Sequence, residues 1–329
     1  MLIAINYHYI RENFIATYPS IFGVTPIQFS EQIDVMSKQL SFVGVSDIID
    51  AIDGKKALPR RAGIITFDDG LAEQFELAWP ILQAKGIPAV FFVNTLPIEK
   101  HAITATHKIH IIRAHVPQDV IIKTVKSYCE KSSLKFRLPD ISRASSAKHY
   151  DEPEVARLKY FLNHLVDARA KEDILNDFLA ELGFNEKKLS QKLYMSRSQI
   201  KSLADSESLG THGHSHQALG LLSSKEAKDD VQLSICKLHQ WTGSRVRVMS
   251  YPFGFHDACS RAAATAAHKL GVRFAFTMER AVNRELRFPM FLSRFDINDV
   301  MSNGGDLHDK MHSKAVTRSW FRTDQGIPA

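Results

Sequence analysis

Two adjacent carboxylates are the residues of this sequence whose position most clearly suggests chemistry. Asp68 and Asp69 lie in the run Thr-Phe-Asp-Asp-Gly at residues 66–70, directly after an apolar segment. Adjacent side chains at the end of a strand point in different directions, so one carboxylate can bind a cation while the other faces the substrate water. An ordinary Asp-Gly turn is the alternative, and the pentapeptide alone does not decide between them.

A histidine-rich run provides a second group of candidate ligands. Its sequence is Gly-Thr-His-Gly-His-Ser-His at residues 210–216. Two imidazoles separated by three residues can converge on one cation, but spacing leaves His212, His214 and His216 all as candidates. A surface loop with casual metal affinity is the alternative. Three histidines within five residues beside a glycine favour the metal site.

Three weaker segments also follow predicted strands. They are Asn-Tyr-His-Tyr at 6–9, Ser-Tyr-Pro-Phe-Gly at 250–254 and Leu-Ser-Arg-Phe at 292–295. Pro252 and Gly254 predict a rigid loop whose two aromatic residues could line a sugar-binding groove. Alone, each segment is typical of an ordinary turn. Because catalytic groups of α/β barrels collect at the carboxyl ends of the strands, their shared placement predicts one common site.

The elements that would position these residues follow an alternating pattern. Short apolar runs alternate with helical spacing, which predicts parallel strands joined by crossover helices. The predicted strands are Leu2–Asn6, Ala62–Phe67, Ala89–Asn94, Ser208–Thr211, Val246–Ser250, Arg273–Phe276 and Met290–Arg294. Helices are predicted over Thr25–Leu40, Leu71–Ala84, Lys225–Trp241 and Ala258–Leu270.

The middle of the chain has a different character. Between residues 101 and 205 the pattern is helical, with predicted helices over Lys108–Arg113, Pro117–Glu130, Glu152–Asp167 and Lys171–Leu182. We interpret 101–205 as a helical insertion within a single domain that spans residues 1–329. Residues 303–329 are rich in glycine and charge, and we expect them to form a poorly ordered tail.

The composition is that of an ordinary globular protein with a sizeable core. Of 329 residues, 44% are hydrophobic and 24% are charged. A formal charge of +6 without a long basic run does not predict nucleic-acid binding. Three widely spaced cysteines predict neither a disulfide framework nor a cysteine zinc site. No apolar run could span a bilayer and no signal peptide is recognisable, so we expect a cytoplasmic protein without an integral membrane segment.

Three motifs together resemble those of the polysaccharide deacetylase family, the NodB-homology or carbohydrate esterase family 4 enzymes. They lie at residues 66–70, 211–219 and 250–254, in the order that the family uses. The resemblance covers roughly 1–100 and 200–300 and leaves out the helical insertion. It implies an α/β fold, the distorted (β/α) barrel of the NodB type.

The resemblance also implies roles for individual residues. In the family's first motif the first Asp is the catalytic base and the second a metal ligand, which implies Asp68 as base and Asp69 as ligand. The second motif is His-x-x-x-His, which implies His212 and His216 as ligands and leaves His214 as a neighbour.

The third motif implies that Tyr251, Pro252 and Phe253 form one wall of the substrate groove, with the backbone N–H of Tyr251 holding the oxyanion. Many family members carry an Arg before the Pro of this motif, where the present chain has Ser250 and Tyr251.

The fifth motif usually supplies a catalytic His, and the matching segment 292–294 has none. This chain instead resembles the circularly permuted exopolysaccharide deacetylases, which have a Tyr-His on the first strand and an Arg on the last. That likeness implies His8 as the catalytic acid and Arg294 as the residue that orients Asp68.

The implied activity is metal-dependent hydrolysis of an N-acyl group, expected to be acetyl, on an amino sugar. Zinc is the expected metal, with iron, cobalt, nickel and manganese as alternatives. Because no export signal is recognisable, we expect an intermediate of glycan assembly as substrate, for example a nucleotide-linked or lipid-linked N-acyl sugar. Hydrolysis of another amide or ester, including an N-formyl sugar, is one alternative, and a non-catalytic glycan-binding barrel is another.

Overall fold

The computed structural model describes residues 1–18, 21–132, 134–141, 152–166 and 168–301 of the chain. Two compact units can be distinguished. The first comprises Met1–Glu12, Gly23–His101 and the described part of the chain from Gln191 onward, and the second comprises Asn13–Phe22 and Ala102–Ser190. The expected tail at 303–329 lies outside the described residues, and the assignment of one domain to the whole chain stays a prediction.

The first unit is built on a parallel sheet, in which the described residues form eight strands. They are Leu2–Tyr7 (β1), Ser41–Phe42 (β2), Ala62–Phe67 (β3), Ala89–Val93 (β4), Leu209–Thr211 (β5), Val248–Ser250 (β6), Phe274–Phe276 (β7) and Phe295–Asp296 (β8). Their order is β7-β6-β5-β4-β3-β1-β8, and β2 pairs with β3 outside this path. All of the strand pairs are parallel, as the alternating pattern predicts.

One short segment near the end of the described chain joins the two edges of this sheet. Leu292 forms a parallel bridge with Phe276 of β7. A few residues later, β8 pairs with β1, with Phe295 opposite Ile5. The sheet therefore curls round with helices about it, and the predicted distorted (β/α) barrel is confirmed.

Helices connect and flank these strands. The α-helices of this unit are Pro26–Ser37, Val45–Ile52, Trp79–Ala84, Thr95–Lys100, Arg197–Asp205, Ser224–Thr242, Arg261–Lys269 and Ile297–Met301, with a π-helix at Gln74–Ala78 and 3-10 turns at Leu219–Leu221, His256–Ala258 and Pro289–Phe291. Ser224–Thr242 shows why the sequence forms such helices. Ser223 and Glu226 cap its start reciprocally, and Gly243, at φ 72°, ends it in the left-handed conformation.

The core of the barrel consists of continuous apolar strands. Every residue of β1, β3 and β4 is buried, as expected for parallel strands that are covered on both faces. Phe67 of β3 stacks on Phe91 of β4, with 4.5 Å between ring centroids.

One predicted strand is wrong. Met290–Arg294 is not a strand, because a 3-10 turn over Pro289–Phe291 occupies its start. Pro289 begins this turn, and the backbone N–H of Arg294 donates to Glu279 O. The strand forms only at Phe295–Asp296.

The second unit is helical, and it has a core of its own. Its described helices are Ala105–His115, Gln118–Lys131, Pro153–Tyr160 with the π-turn Phe161–Leu165, Ala168–Glu181 and Glu186–Leu193, the last of which ends in the first unit. Buried apolar residues such as Val125, Leu158 and Phe178 fill the core. Across the described residues of the chain, no helix has both the length and the apolar composition needed to cross a bilayer.

Gly210 in β5 offers a test of the packing directly beneath the histidine motif. A Cβ atom at this position would stand 2.4 Å from a ring carbon of Phe92, in a fully buried layer. We expect Gly210→Ala to lower the free energy of unfolding by about 1–3 kcal/mol through overpacking. Gly44→Ala is the control, since its Cβ would make only ordinary contacts, the nearest at 3.6 Å. Equal stabilities of the two variants in urea would contradict this packing.

Candidate active site

The carboxyl ends of the strands bring together most of the segments chosen from the sequence. Tyr7 of β1 lies opposite Phe67 of β3, so His8 and Asp68 follow two paired residues. His212 follows β5, and Tyr251 follows β6. Because the strands are parallel, these residues lie at one rim of the barrel.

A buried ion pair lies at the centre of this rim. Arg294 is fully buried, and its guanidinium binds the carboxylate of Asp68 in a bidentate manner, with Nη1–Oδ1 at 2.9 Å and Nη2–Oδ2 at 2.8 Å. Asp68 also accepts hydrogen bonds from Asn6 Nδ2 at 3.0 Å and from Ser250 Oγ at 2.9 Å. Both oxygens of the carboxylate therefore have two donors.

The remaining hydrogen-bonding capacity of the guanidinium is also used. Arg294 donates to Asn6 Oδ1, to Thr66 Oγ1, to Ser250 Oγ and, through Nε, to Thr277 O, at 2.8–3.2 Å. A buried charge is stable only when its partners are arranged in this complete way.

The same surroundings determine the charge of Asp68. Burial opposes its ionisation, but the positive charge and hydrogen bonds of Arg294, with smaller contributions from His212 and His8, outweigh burial and lower the pKa of Asp68 to about 2. The carboxyl is therefore ionised at neutral pH.

Asp69, His212 and His216 form a compact buried group. Their potential ligand atoms all lie within 4.8 Å of one another. Asp69 Oδ1 is 3.0 Å from His216 Nε2 and 3.7 Å from His212 Nε2. Two imidazoles and one carboxylate are a ligand set that suits zinc and related divalent cations, so the residues present fit a metal centre.

The tautomer of His212 also fits such a centre. Its Nδ1 lies 2.9 Å from Ser250 O, and because a carbonyl oxygen only accepts, Nδ1 carries the hydrogen. The lone pair of the neutral ring is therefore on Nε2, the nitrogen that faces Asp69. Burial lowers the pKa of His212 to about 4, which keeps the ring neutral at pH 7.

The loop that carries both histidines is held from the neighbouring helix. Asp230 accepts the backbone N–H of His214 at 2.7 Å and that of Ser215 at 3.0 Å. Gly213 has φ 76°, and a Cβ there would stand 2.8 Å from Asp230 Oδ1. The side chain of His214 is hydrogen-bonded to Thr95 Oγ1 at 2.8 Å, and His214 is not a member of the ligand group.

Backbone strain is concentrated at this site. Among the described non-glycine residues, positive φ occurs at five positions, and three of them are Asp69 at 79°, His216 at 58° and Phe253 at 62°. Such conformations cost about 1–3 kcal/mol each and persist where surrounding structure enforces them. The ring of Phe253 packs against that of His216, with 4.9 Å between centroids.

Tyr251 forms hydrogen bonds through both its backbone N–H and its side chain. Its backbone N–H donates to Phe276 O at 3.0 Å, within the ladder between β6 and β7. Its side chain is fully buried, and the hydroxyl donates to Met290 O at 3.1 Å. The backbone N–H of Tyr251 is thus bonded within the sheet, and its role as the oxyanion donor stays a prediction.

With this geometry established, comparison with known proteins identifies the family. Residues 55–154 and 176–275, together more than half of the chain, match the model of the polysaccharide deacetylase family. The chain belongs to the polysaccharide deacetylase family. It is accordingly a hydrolase of carbon–nitrogen bonds other than peptide bonds, and its substrate class is sugars.

Solved structures share the fold of this polysaccharide deacetylase. The Streptococcus pyogenes deacetylase PplD in complex with acetate is 14% identical, with a TM-score of 0.56, and the alignment covers 95% of this chain and 98% of that one. IcaB from Ammonifex degensii is 18% identical, with a TM-score of 0.52 and coverage of 89% and 90%. The BpsB deacetylase domain from Bordetella bronchiseptica is 17% identical, with a TM-score of 0.52 and coverage of 90% and 95%. No curated protein sequence gives a significant match.

The segments of the site are recognisable in the sequence, but several contacts within them are not. Asn6, Thr66 and Ser250 all stood in motifs chosen from the sequence, yet their bonds to the ion pair have no signal in spacing. Asp230 had no signal of any kind, because it is one acidic residue among several on a helix surface. The circularly permuted subtype stays a prediction.

Arg294→Met should reveal the strength of the buried ion pair. Removing the guanidinium leaves Asp68 buried without its charge partner, so we expect a loss of about 3–5 kcal/mol in the free energy of unfolding at pH 7. Lys201→Met is the control, because its pair with Asp205 is exposed and should contribute less than about 1 kcal/mol. Similar losses in the two variants, measured by chemical denaturation, would disprove the central role of the pair.

The pH dependence of stability provides a second measurement on the same variant. Because folding lowers the pKa of Asp68 from 3.8 to about 2, its stabilising effect is complete above pH 4 and is lost as the pH falls through 2. Without Arg294, burial should raise the pKa of Asp68 above 3.8, so the ionised carboxylate should destabilise Arg294→Met at neutral pH. The variant should therefore become more stable as the pH falls towards 4, where the wild type does not, as measured by chemical denaturation across that pH range.

Proposed function

We propose that this family member is a metal-dependent enzyme that removes the acetyl group from an N-acetylated amino sugar. The observation that carries the proposal is the buried Asp69, His212 and His216 group beside an ionised carboxylate, that of Asp68. A ligand set and a neighbouring base are what hydrolysis of an unactivated amide requires.

Asp69, His212 and His216 would hold the cation. Three nitrogen and oxygen ligands favour zinc, with iron, cobalt, nickel and manganese as alternatives. When bound, a divalent cation supplies Lewis-acid polarisation of the amide carbonyl and lowers the pKa of water.

Asp68 would act as the general base. Because its pKa is about 2, the carboxylate is always available to accept a proton from the attacking water at neutral pH. Because a carboxylate of low pKa is a weak base, Asp68 can accept the proton efficiently only if it lies close to the attacking water. Its four hydrogen bonds hold the carboxylate in place.

His8 would act as the general acid that protonates the departing amine. It is partly exposed and follows Tyr7, whose strand partner Phe67 precedes Asp68, which supports its proximity to the base. Amines leave poorly as anions, so some proton donor is needed.

The proposed product is acetate, since the similar PplD deacetylase has a structure in complex with acetate. We propose nucleotide-linked or lipid-linked N-acetyl sugars as candidate substrates. Mass spectrometry on a panel of such sugars, with simple N-acetyl amides as controls, tests this directly. Release of formate in place of acetate would indicate an N-formyl sugar as substrate, and equal turnover of the simple amides would indicate a hydrolase of another amide. Binding without any turnover would indicate a glycan-binding barrel.

Substitutions in the histidine loop should separate the ligands from their neighbour. We expect Asp69→Ala and His216→Ala to abolish both binding of zinc, measured by titration calorimetry, and turnover. His214→Ala is the matched control, because its side chain bonds to Thr95 and lies outside the ligand group, so zinc binding should persist. Full activity of His216→Ala would refute the proposed centre.

The base and the acid should show a different signature from the ligands. We expect Asp68→Asn and His8→Gln each to lower kcat by about 10²–10⁴-fold, because each removes a proton-transfer group. Zinc affinity in the His8 variant should stay close to that of the wild type. An unchanged kcat for His8→Gln would assign the acid role to another residue.

A further inference from the structure

We propose that Gln74 is a positioning residue that fixes the ends of the two strands that carry the base and the acid. The inference rests on the proposed roles of Asp68 and His8, and it extends to the metal ligand Asp69. Gln74 belongs to none of the motifs chosen from the sequence.

The side chain of Gln74 connects the two strand ends directly. It is fully buried, and its Nε2 donates to Asp68 O at 2.6 Å and to His8 O at 2.8 Å. Its Oε1 accepts the backbone N–H of Leu71 at 3.2 Å. Both hydrogens of the amide are therefore used on main-chain carbonyls of proposed catalytic residues.

These bonds continue the sheet beyond its last backbone pair. The register between β1 and β3 ends at Tyr7 opposite Phe67, and the backbone N–H of Asp68 makes a final bond to Tyr7 O at 3.2 Å. The next carbonyls, those of His8 and Asp68, are both bound by Gln74. The amide thus acts as an additional cross-link between two neighbouring strands at the point where the chemistry begins.

The same contact controls the turn into the metal ligand. Gln74 holds the carbonyl of Asp68, which belongs to the peptide plane that joins Asp68 to Asp69. Asp69 then adopts φ 79°, a conformation that needs support from its surroundings. Fixing this peptide plane therefore favours the orientation in which Asp69 faces His212 and His216.

Gln74 lies where the helix after β3 widens into a π-turn. Gln74 begins the π-helix Gln74–Ala78, and its backbone N–H donates to Leu71 O at 3.1 Å. The wide π-turn lies within a longer helix, which begins before it and continues as Trp79–Ala84, and such turns occur frequently at functional sites. Here it begins four residues after Gly70, close in the chain to both Asp residues.

The test compares Gln74→Met, Gln74→Asn and Thr242→Val with the wild-type protein. Methionine keeps the length of the side chain without hydrogen bonds, whereas asparagine keeps the amide but is one methylene shorter. Thr242→Val is the matched control, because Thr242 is buried and also bridges a backbone carbonyl, Leu238 O at 2.7 Å, and a backbone N–H, that of Ser244 at 3.1 Å, at the end of a helix.

We expect both Gln74 variants to lower kcat and to weaken zinc affinity by about 10–100-fold, the range found for residues that orient ligands from behind. KM should change much less than kcat, because Gln74 does not contact the substrate. Thr242→Val should lose thermal stability while its kcat and zinc affinity stay at wild-type values. A role in stability alone would make the Gln74 variants behave like this control.

Wild-type kcat and zinc affinity in the folded Gln74 variants would overturn the proposal. If Gln74→Met does not fold, Gln74→Asn decides alone. The zinc titration needs no substrate, so it separates this inference from the proposed function. A wild-type protein that deacylates nothing would refute the function, whereas unchanged zinc affinity in Gln74→Asn would then refute the positioning role.

Discussion

The pairing of Asp68 with Arg294 is the interaction on which the rest of the site depends. Two opposite charges in the interior of a barrel are tolerated only if every donor and acceptor has a partner, and Asn6, Thr66 and Ser250 meet that demand. These residues come from different strands, so the ion pair fixes the relative positions of strands that are otherwise held by apolar packing. The chemical result is that the carboxylate of Asp68 has a low pKa. It can serve as a base because the ion pair holds it in a fixed position.

The metal-ligand side of the rim follows another physical rule. Two of its ligands, Asp69 and His216, have positive φ angles, which non-glycine residues rarely adopt. Hydrogen bonds from residues outside the ligand set maintain these strained conformations. Asp230 holds the histidine loop from a helix, and Ser250 O fixes the tautomer of His212. Ser250 therefore serves both halves of the site, with its hydroxyl on the base and its carbonyl on a ligand.

The sequence was sufficient to predict the barrel and the segments of its rim, because both depend on local patterns. Continuous apolar runs identified β3 and β4. Spacing left three histidines as candidate ligands, and the resemblance to the family's second motif selected His212 and His216 over His214. The sequence failed where the outcome depends on long-range geometry. The last strand was misplaced because Pro289 starts a turn that hydrophobic spacing does not reveal. Contacts of Asn6 and Asp230 have no sequence pattern at all.

The closing segment at Leu292–Asp296 has a consequence for biosynthesis. Asp68 and Arg294 are 226 residues apart in the chain. The first strands of the barrel are therefore synthesised long before Arg294. Until Arg294 has been synthesised, the carboxylate lacks the guanidinium that compensates its charge, so hydration is favoured over burial. A chain truncated before Arg294 would therefore lack both the last strand of the barrel and the partner that positions the carboxylate of Asp68. Closure of the barrel and formation of the buried ion pair therefore depend on the same short segment, Leu292–Asp296.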